Sequence, residues 1–215
     1  MLKPTLKIIL RADSLVTFPN HSRNTERSLR IVGVDDGSFH ANRKIAQSAL
    51  LVAVLFHDLQ ITKIELGWVL VDGTDANRVL LSLLRRMRFD VVMLSGISFA
   101  GFNVVDIEGL SARVRRPVMA ITGDKPDNEA VRNALRGHFT DWKNRWRIVR
   151  AAGRTHRFSP RAHEPPLYFE VHGASPALAK HYIEAAAKIS RLPEPIRVAG
   201  IVARGLSDVV QLTGP

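Results

Sequence analysis

The first residues that could do chemistry are two adjacent carboxylates, Asp35 and Asp36, which follow the apolar run 29–34 and precede Gly37. Carboxylates at the end of a strand can bind a hard cation such as Mg²⁺ or Mn²⁺, because these ions prefer oxygen ligands. A simpler interpretation is a polar turn, since Asp and Gly are common turn residues. The pair taken alone leaves both interpretations open.

A second pair, Asp72 and Asp75, lies where the alternating segment 61–71 ends and a helical pattern begins. Asp75 or Thr74 is suited to cap that helix, because a side-chain oxygen at this position accepts a free backbone N–H. Asp72 is not needed for capping. We expect the first and third strands to be neighbours, so that Asp35 and Asp72 meet at one metal and support phosphodiester cleavage.

The next strand ends in Ser95, at the position where this geometry would favour a third acid. A glycine- and phenylalanine-rich segment follows, and it also contains Asp106. Its glycines would let the backbone approach a ligand closely. The alternative to a binding role, which the sequence supports equally, is a packed loop with Phe99 and Phe102 in the core. The segment matches neither a P-loop nor a GxGxxG motif. The candidate binding residues of this loop are Gly96, Phe99, Gly101, Phe102 and Asn103.

A basic stretch covers residues 132–161, where nine Lys and Arg stand against one acid, Asp141, with aromatic residues between them. Cations neutralise phosphates, and aromatic rings stack on unpaired bases, so the pattern is typical of nucleic-acid binding. We expect Trp142 and Trp146, four residues apart, to lie in the core. The alternative is a solvated basic face. The predicted contacts to nucleic acid are Lys143, Arg145, Arg147, Arg150, Arg154 and Arg157.

Composition narrows the class of partner. The 215 residues include 31 Lys and Arg against 20 Asp and Glu, a net charge of +11, which favours a polyanion such as DNA or RNA. The absence of Cys excludes a disulfide scaffold and suits a cytoplasmic protein. The longest apolar run, residues 49–56, is far shorter than the roughly 20 residues needed to cross a bilayer, so we expect no membrane partner. Protein partners stay open.

The order of predicted elements indicates an α/β fold with a mixed β-sheet flanked by helices. Three strands form an antiparallel meander, and strand–helix–strand units with parallel pairing follow. By analogy, this order is that of the ribonuclease H-like architecture. Residues 1–28 are predicted to be a poorly committed arm, and residues 29–215 one domain.

Four strings carry a resemblance over residues 29–208: RIVGVDDGSF, VLVDGTDAN, MLSGISFAGFNVVDI and PEPIRVAGIVARG. They resemble the domain-of-unknown-function 99 family. That family is similar in turn to endonuclease V, a Mg²⁺-dependent nuclease with a ribonuclease H-like fold that cuts near deaminated bases such as inosine. The resemblance therefore implies an endonuclease V-like hydrolase that binds nucleic acid.

The resemblance also implies roles for residues. Asp35 matches the first metal aspartate of endonuclease V, and Asp72, with Asp75 as a rival, lies near its glutamate. Its third metal carboxylate falls on Ser95, whose hydroxyl lacks the charge of a carboxylate. Three hypotheses follow. The first is a metal-dependent nuclease in which Asp36, Asp75 or Asp106 assists Asp35 and Asp72, and the second is a catalytically inactive nucleic-acid-binding protein on the same fold. The third is a protein that binds a small phosphorylated ligand in the loop 96–106.

Overall fold

The computed structural model describes residues 28–38 and 48–213. Apart from Ser28, the predicted N-terminal arm lies outside the described residues. The strands are β1 (Arg30–Asp36), β2 (Ser48–His57), β3 (Gln60–Leu70), β4 (Val91–Leu94), β5 (Ser98–Phe99), β6 (Asn103–Val104), β7 (Val118–Thr122), β8 (His156–Phe158) and β9 (Leu167–His172). The helices are α1 (Ala76–Leu84), α2 (Ile107–Val114), α3 (Asn128–His138), α4 (Trp142–Ala151), α5 (Pro176–Ala186) and α6 (Glu194–Thr213).

Seven strands form one mixed sheet in the order β3-β2-β1-β4-β7-β9-β8, and β5 pairs with β6 in a separate hairpin. The predicted antiparallel meander of β1, β2 and β3 is confirmed, as is the parallel pairing of β1 with β4 and of β4 with β7. The expectation that the first and third strands are neighbours is wrong. In a meander the middle strand lies between the other two, so β1 and β3 are roughly 10 Å apart.

Local signals place several helices correctly. Asp127 caps α3 by accepting hydrogen bonds from the backbone N–H groups of Glu129 and Ala130. Ser175 caps α5, with Pro176 in its first turn, as the Ser-Pro pair predicts. Helix α3 ends at His138, one residue beyond Gly137. The basic helix α4, strand β8 and the β5–β6 hairpin were not predicted.

The alternation of β1 separates the two faces of the sheet. Val32 and Val34 lie in the core cluster that contains α1 and α2 residues, whereas Ile31 lies in the cluster that contains α5 and α6 residues. Gly33 allows α6 to approach the sheet, because a Cβ at this position would collide with the backbone of Pro195. In the part of the chain that the structure describes, no helix is long and apolar enough to cross a membrane.

Candidate active-site cleft

A cleft of about 570 Å³ lies over the carboxyl ends of β1, β4 and β7. In open α/β sheets ligands bind at this edge, because the loops that follow parallel strands meet there. Helices α4 and α6 supply the side walls, with Val149, Ala152 and Ile196 among the apolar lining residues. The polar residues of the cleft include Asp35, Ser95, Thr122, Asp124, Lys125, Thr155 and Glu170.

Asp35 reaches the cleft on the α6 side of β1. Its Oδ1 accepts hydrogen bonds from the Ser95 hydroxyl and from the backbone N–H of Asp36, and its Oδ2 lies 3.6 Å from Nη1 of Arg204. Burial raises the pKa of Asp35, and the Ser95 hydrogen bond opposes this only in part. Because Arg204 is 58% exposed, solvent screens its charge. Asp35 is therefore a desolvated carboxylate whose negative charge is only partly compensated.

Asp36 lies on the opposite face, as expected for adjacent residues of a strand. Its Oδ2 accepts a hydrogen bond from the backbone N–H of Ala100, between β5 and β6. Burial raises the pKa of Asp36 as well, and hydrogen bonds from the backbone of Ala100 and of Asp36 itself oppose the shift. Asp36 thus anchors the β5–β6 hairpin, and it is not among the residues that line the cleft.

Asp72 is exposed and also binds this hairpin. Its carboxylate accepts a hydrogen bond of 2.9 Å from the backbone N–H of Phe102, and its own N–H donates to the carbonyl of Ala100 at 2.8 Å. Gly101, with a φ of +83°, lies against this carboxylate where a larger side chain would collide with it. Asp72 does not line the cleft. The structure therefore brings Asp72 and Asp36 to one hairpin and places Asp35 on the other side of β1.

Asp75 and Asp106 also satisfy local backbone and side-chain groups. Oδ1 of Asp75 accepts hydrogen bonds from the Leu70 N–H at 3.1 Å and from Nδ2 of Asn103 at 2.7 Å. Asp75 occupies the N-cap position of α1 but its side chain does not cap the helix, and Oδ1 of Asn103 accepts from the N–H of Ala76 at 3.0 Å instead. Asp106 caps α2 through the N–H of Gly109. These contacts give both carboxylates and the buried Asn103 a structural role.

The remaining loop candidates divide between packing and backbone geometry. Phe99 is buried in the α1–α2 core cluster, as the packed-loop alternative predicts. Phe102 is half-buried and packs edge-on against Phe139, with ring centroids 5.5 Å apart. Gly96 has a φ of +122°, a conformation that favours glycine, and it lines the cleft.

The cleft offers few metal ligands of its own, so a metal bound there would be coordinated jointly by the protein and the substrate. Within residues 28–38 and 48–207, no group of three or more His, Asp or Glu side chains is placed to bind a metal. Mg²⁺, however, is commonly bound through one or two carboxylates together with substrate phosphates and water. Asp35 could supply such a carboxylate, since burial leaves its charge only partly compensated.

The basic segment borders the cleft. All but one of its predicted contacts to nucleic acid are exposed. Val149, Ala152 and Gly153 line the cleft, and exposed arginines alternate with them along the chain. Trp142 and Trp146 are half-buried, so the expectation that both lie in the core is wrong. The exposed members of the predicted contact set are Lys143, Arg147, Arg150, Arg154 and Arg157.

The exception is Arg145, which points inward and is only 7% exposed. Its guanidinium donates to the backbone carbonyls of Asp72, Gly73 and Phe102 at 3.0, 2.9 and 2.6 Å, and it pairs with Asp141 at 2.9 Å. Every one of these contacts competes with a phosphate for the same donors. Arg145 therefore joins α4 to the hairpin, and its prediction as a nucleic-acid contact is corrected.

Glu170 is a cleft residue that the sequence analysis missed. It lies on β9, is 8% exposed and accepts a hydrogen bond from the Thr155 hydroxyl. Burial raises its pKa, and the Thr155 hydrogen bond opposes that shift only partly. No described basic side chain forms an ion pair with it. The available signal was a single acid inside the apolar strand run 167–171, since a buried charge in such a run requires a reason.

Comparisons with known proteins identify the family and the fold of the chain. The family model described as endonuclease dU matches residues 27–207. A UPF0215 protein of Methanothermobacter thermautotrophicus is 37% identical over 89% of this chain and 94% of its own length. A protein of unknown function from Archaeoglobus fulgidus has 27% identity and a TM-score of 0.73, covering 83% of this chain and 98% of that one.

Endonuclease V has the same fold. The Ciona intestinalis enzyme, crystallised with a 23mer DNA containing an inosine, superposes with a TM-score of 0.58 at 14% identity. The match covers 85% of this chain and 87% of that one. At this identity the similarity shows a shared fold, which confirms the predicted mixed sheet flanked by helices. Because the family model spans most of the chain, the protein belongs to the endonuclease dU family, on the fold of endonuclease V.

Proposed function

We propose that the protein cleaves phosphodiester bonds of nucleic acid in the cleft, with a divalent cation held by Asp35. The observation that carries the proposal is the partly compensated carboxylate of Asp35 at the carboxyl end of β1. The family description, endonuclease dU, and the DNA in the Ciona structure support a nucleic-acid substrate. Mg²⁺ or Mn²⁺, when bound, would supply Lewis-acid activation of water and stabilisation of the leaving oxygen.

The protein's own residues have separable tasks in this proposal. Asp35 binds the cation, and the Ser95 hydroxyl orients the carboxylate through the hydrogen bond to Oδ1. Asp36 and Asp72 position the hairpin beside β1, because both bind its backbone. The exposed arginines and lysine of the basic segment bind the phosphates that flank the cut, which keeps the strand over the cleft.

The direct test is cleavage of DNA and RNA strands that contain deoxyuridine or inosine, with Mg²⁺, Mn²⁺ or EDTA. We expect metal-dependent cleavage by the wild type and a loss of about 100-fold or more for Asp35→Asn, because the amide cannot supply the ligand charge. The matched variant Asp72→Asn changes an exposed acid outside the cleft. It should lose far less activity. Absence of cleavage by pure wild-type protein on every strand would contradict the proposal.

A second candidate function is binding of nucleic acid without cleavage, and the surroundings of Asp35 favour it. Ser95 donates to one carboxylate oxygen, and Arg204 lies beside the other. These contacts stabilise the carboxylate without a metal. This alternative predicts metal-independent binding that weakens steeply with salt. Metal-dependent cleavage that appears only in Ser95→Asp would support it, whereas cleavage by the wild type would exclude it.

A further inference from the structure

The opposite edge of the sheet carries a second concave surface, which has no part in the proposed cleavage. It has a volume of about 390 Å³ and lies where β1, β4 and β7 begin. Along β1 it is roughly 17 Å from Asp35, at about 3.3 Å per residue. We call it the arginine depression. Its lining residues are Arg30, Met87, Arg88, Phe89, Val114, Arg115 and Arg116.

Three of its four arginines have no acidic partner in the part of the chain that the structure describes. Arg30 is neutralised by Asp90, with Nη2 and Oδ1 2.9 Å apart. Arg88, Arg115 and Arg116 form no ion pair with any described carboxylate, and all three are exposed. The depression therefore concentrates three uncompensated positive charges on one surface. Like charges that line one depression repel one another, and an anion bound among them would relieve this repulsion.

The dipole of helix α2 does not compensate the positive charge of the three arginines. Arg115 is the C-terminal cap of α2, where a cation is favoured by the helix dipole. That dipole, however, is equivalent to only about half a negative charge. It can offset a fraction of one guanidinium, and two to three positive charges are left. Water screens part of the remaining charge, and an anion that bridges several guanidinium groups would compensate it more fully.

The backbone holds part of the depression in place before any ligand binds. Nε of Arg116 donates to the carbonyl of Phe89 at 3.2 Å, and Nη1 donates to the carbonyl of Arg115 at 3.0 Å. These acceptors are neutral and engage only part of the guanidinium, so its charge is uncompensated and further N–H groups are left for an anion. Met87 and Phe89, which are buried, add apolar surface to the lining of the depression. A guanidinium fixed in this way loses less conformational entropy when it binds an anion.

We propose that the arginine depression is a second anion site that binds a phosphate group. Phosphate is favoured over a carboxylate because its several oxygens can accept forked hydrogen bonds from more than one guanidinium. Two sources share this chemistry: a backbone phosphate of a nucleic-acid strand, and a small free phosphate compound. The site does not depend on cleavage at the cleft, so the two proposals can fail separately.

The test uses the full chain in EDTA, so that cleavage cannot interfere. Calorimetry would measure binding of pyrophosphate, and a salt series would measure binding of a single-stranded 20-mer DNA. The variant Arg88→Gln/Arg115→Gln removes two exposed charges of the depression and spares the fixed Arg116. The matched control, Arg113→Gln/Lys188→Gln, removes two exposed charges outside it.

We expect the depression variant to bind pyrophosphate at least about tenfold more weakly than the wild type, a loss of 1.4 kcal/mol. The control should stay within about twofold of the wild type. If backbone phosphate is the ligand, the slope of log K against log salt should also fall by about 0.7 for each lost contact. A reduced pyrophosphate affinity with an unchanged slope would identify a small phosphate compound. Unchanged pyrophosphate affinity and unchanged slope would overturn the proposal.

Discussion

Two groups of acidic side chains lie at the carboxyl edge of the same sheet, and their surroundings differ. Asp35 and Glu170 line the cleft, where burial raises the pKa of each. Asp72, Asp75 and Asp106 accept hydrogen bonds from backbone N–H groups of the hairpin and of the neighbouring turns. The first group has charge that its neighbours compensate only in part, whereas the second is satisfied by the backbone.

The contrast separates reactive from structural carboxylates. A carboxylate that accepts backbone N–H bonds stabilises a turn, and little is gained by exchanging those bonds for a metal or a substrate. A desolvated carboxylate with a hydroxyl partner costs stability and is available to a ligand that brings positive charge. We call Asp35 and Glu170 the cleft group, and Asp72, Asp75 and Asp106 the hairpin group. If this distinction is correct, substitutions in the hairpin group reduce stability, and substitutions in the cleft group preserve or increase it.

The largest expected effect comes from Arg145, which holds the hairpin group in place. Arg145→Met should lower the free energy of unfolding by about 3 kcal/mol, because three partly buried backbone carbonyls and Asp141 lose the donors of a buried guanidinium. Denaturant titration would measure the loss. The exposed Arg147→Met is the control and should change stability by less than about 0.5 kcal/mol. Equal effects of the two variants would remove the structural role assigned to Arg145.

The next largest loss of stability is expected at Asp75, whose carboxylate accepts hydrogen bonds from Leu70 and Asn103. Asp75→Ala leaves the Leu70 N–H and one Asn103 donor without an acceptor, and the loss should be about 2 kcal/mol. Asp124→Ala, an exposed acid of the cleft, should be near neutral in the same assay. A near-neutral Asp75→Ala would show that the hairpin does not depend on its carboxylate.

A smaller effect is expected at the cap of α2. Asp106→Ala removes the acceptor of the Gly109 N–H and should cost about 1 kcal/mol, measured as a shift of the denaturation midpoint. Asn is also a good cap, so Asp106→Asn should recover most of this loss. If Asp106 acted instead through its charge in catalysis, Asn would restore stability but not activity.

The smallest effect, with the opposite sign, is expected at Glu170. Since burial raises its pKa in the folded state, folding favours the protonated form, and the free energy of unfolding falls as pH rises above the ordinary value of about 4.5. Glu170→Gln removes this dependence and keeps an acceptor for Thr155. It should be more stable than the wild type at pH 8, by less than about 1 kcal/mol, and lose that advantage below pH 4.5.

Thermal unfolding of Glu170→Gln and wild type across pH 4–8 would test this sign. The control is Glu184→Gln, which changes an exposed side chain outside the cleft, and its stability curve should follow that of the wild type. A Glu170→Gln protein that is less stable than the wild type at pH 8 would mean that the charged carboxylate has a partner at neutral pH. The distinction between the two groups would then fail at this residue.

Local sequence signals determined much of the fold and part of the site. Strand periodicity placed Asp35 and Asp36 at the end of β1, and the caps Asp127 and Ser175 marked helix starts, because these patterns depend on residues a few positions apart. The motif strings indicated the family, and the alternation of strands and helices predicted the mixed sheet. The sequence could not reveal which of two adjacent aspartates faces the cleft, since either face of a strand can pack on a helix.

Only the tertiary structure decided how distant residues combine. The insertion of β2 between β1 and β3 separated Asp35 from Asp72, and the Gly73 carbonyl that helps to hold Arg145 lies 72 residues away in the chain. Glu170 entered the cleft because β9 pairs with β7, which no local pattern records. A side chain's charge and size are written in the sequence, but its desolvation and its partners arise from contacts that form when remote segments pack together.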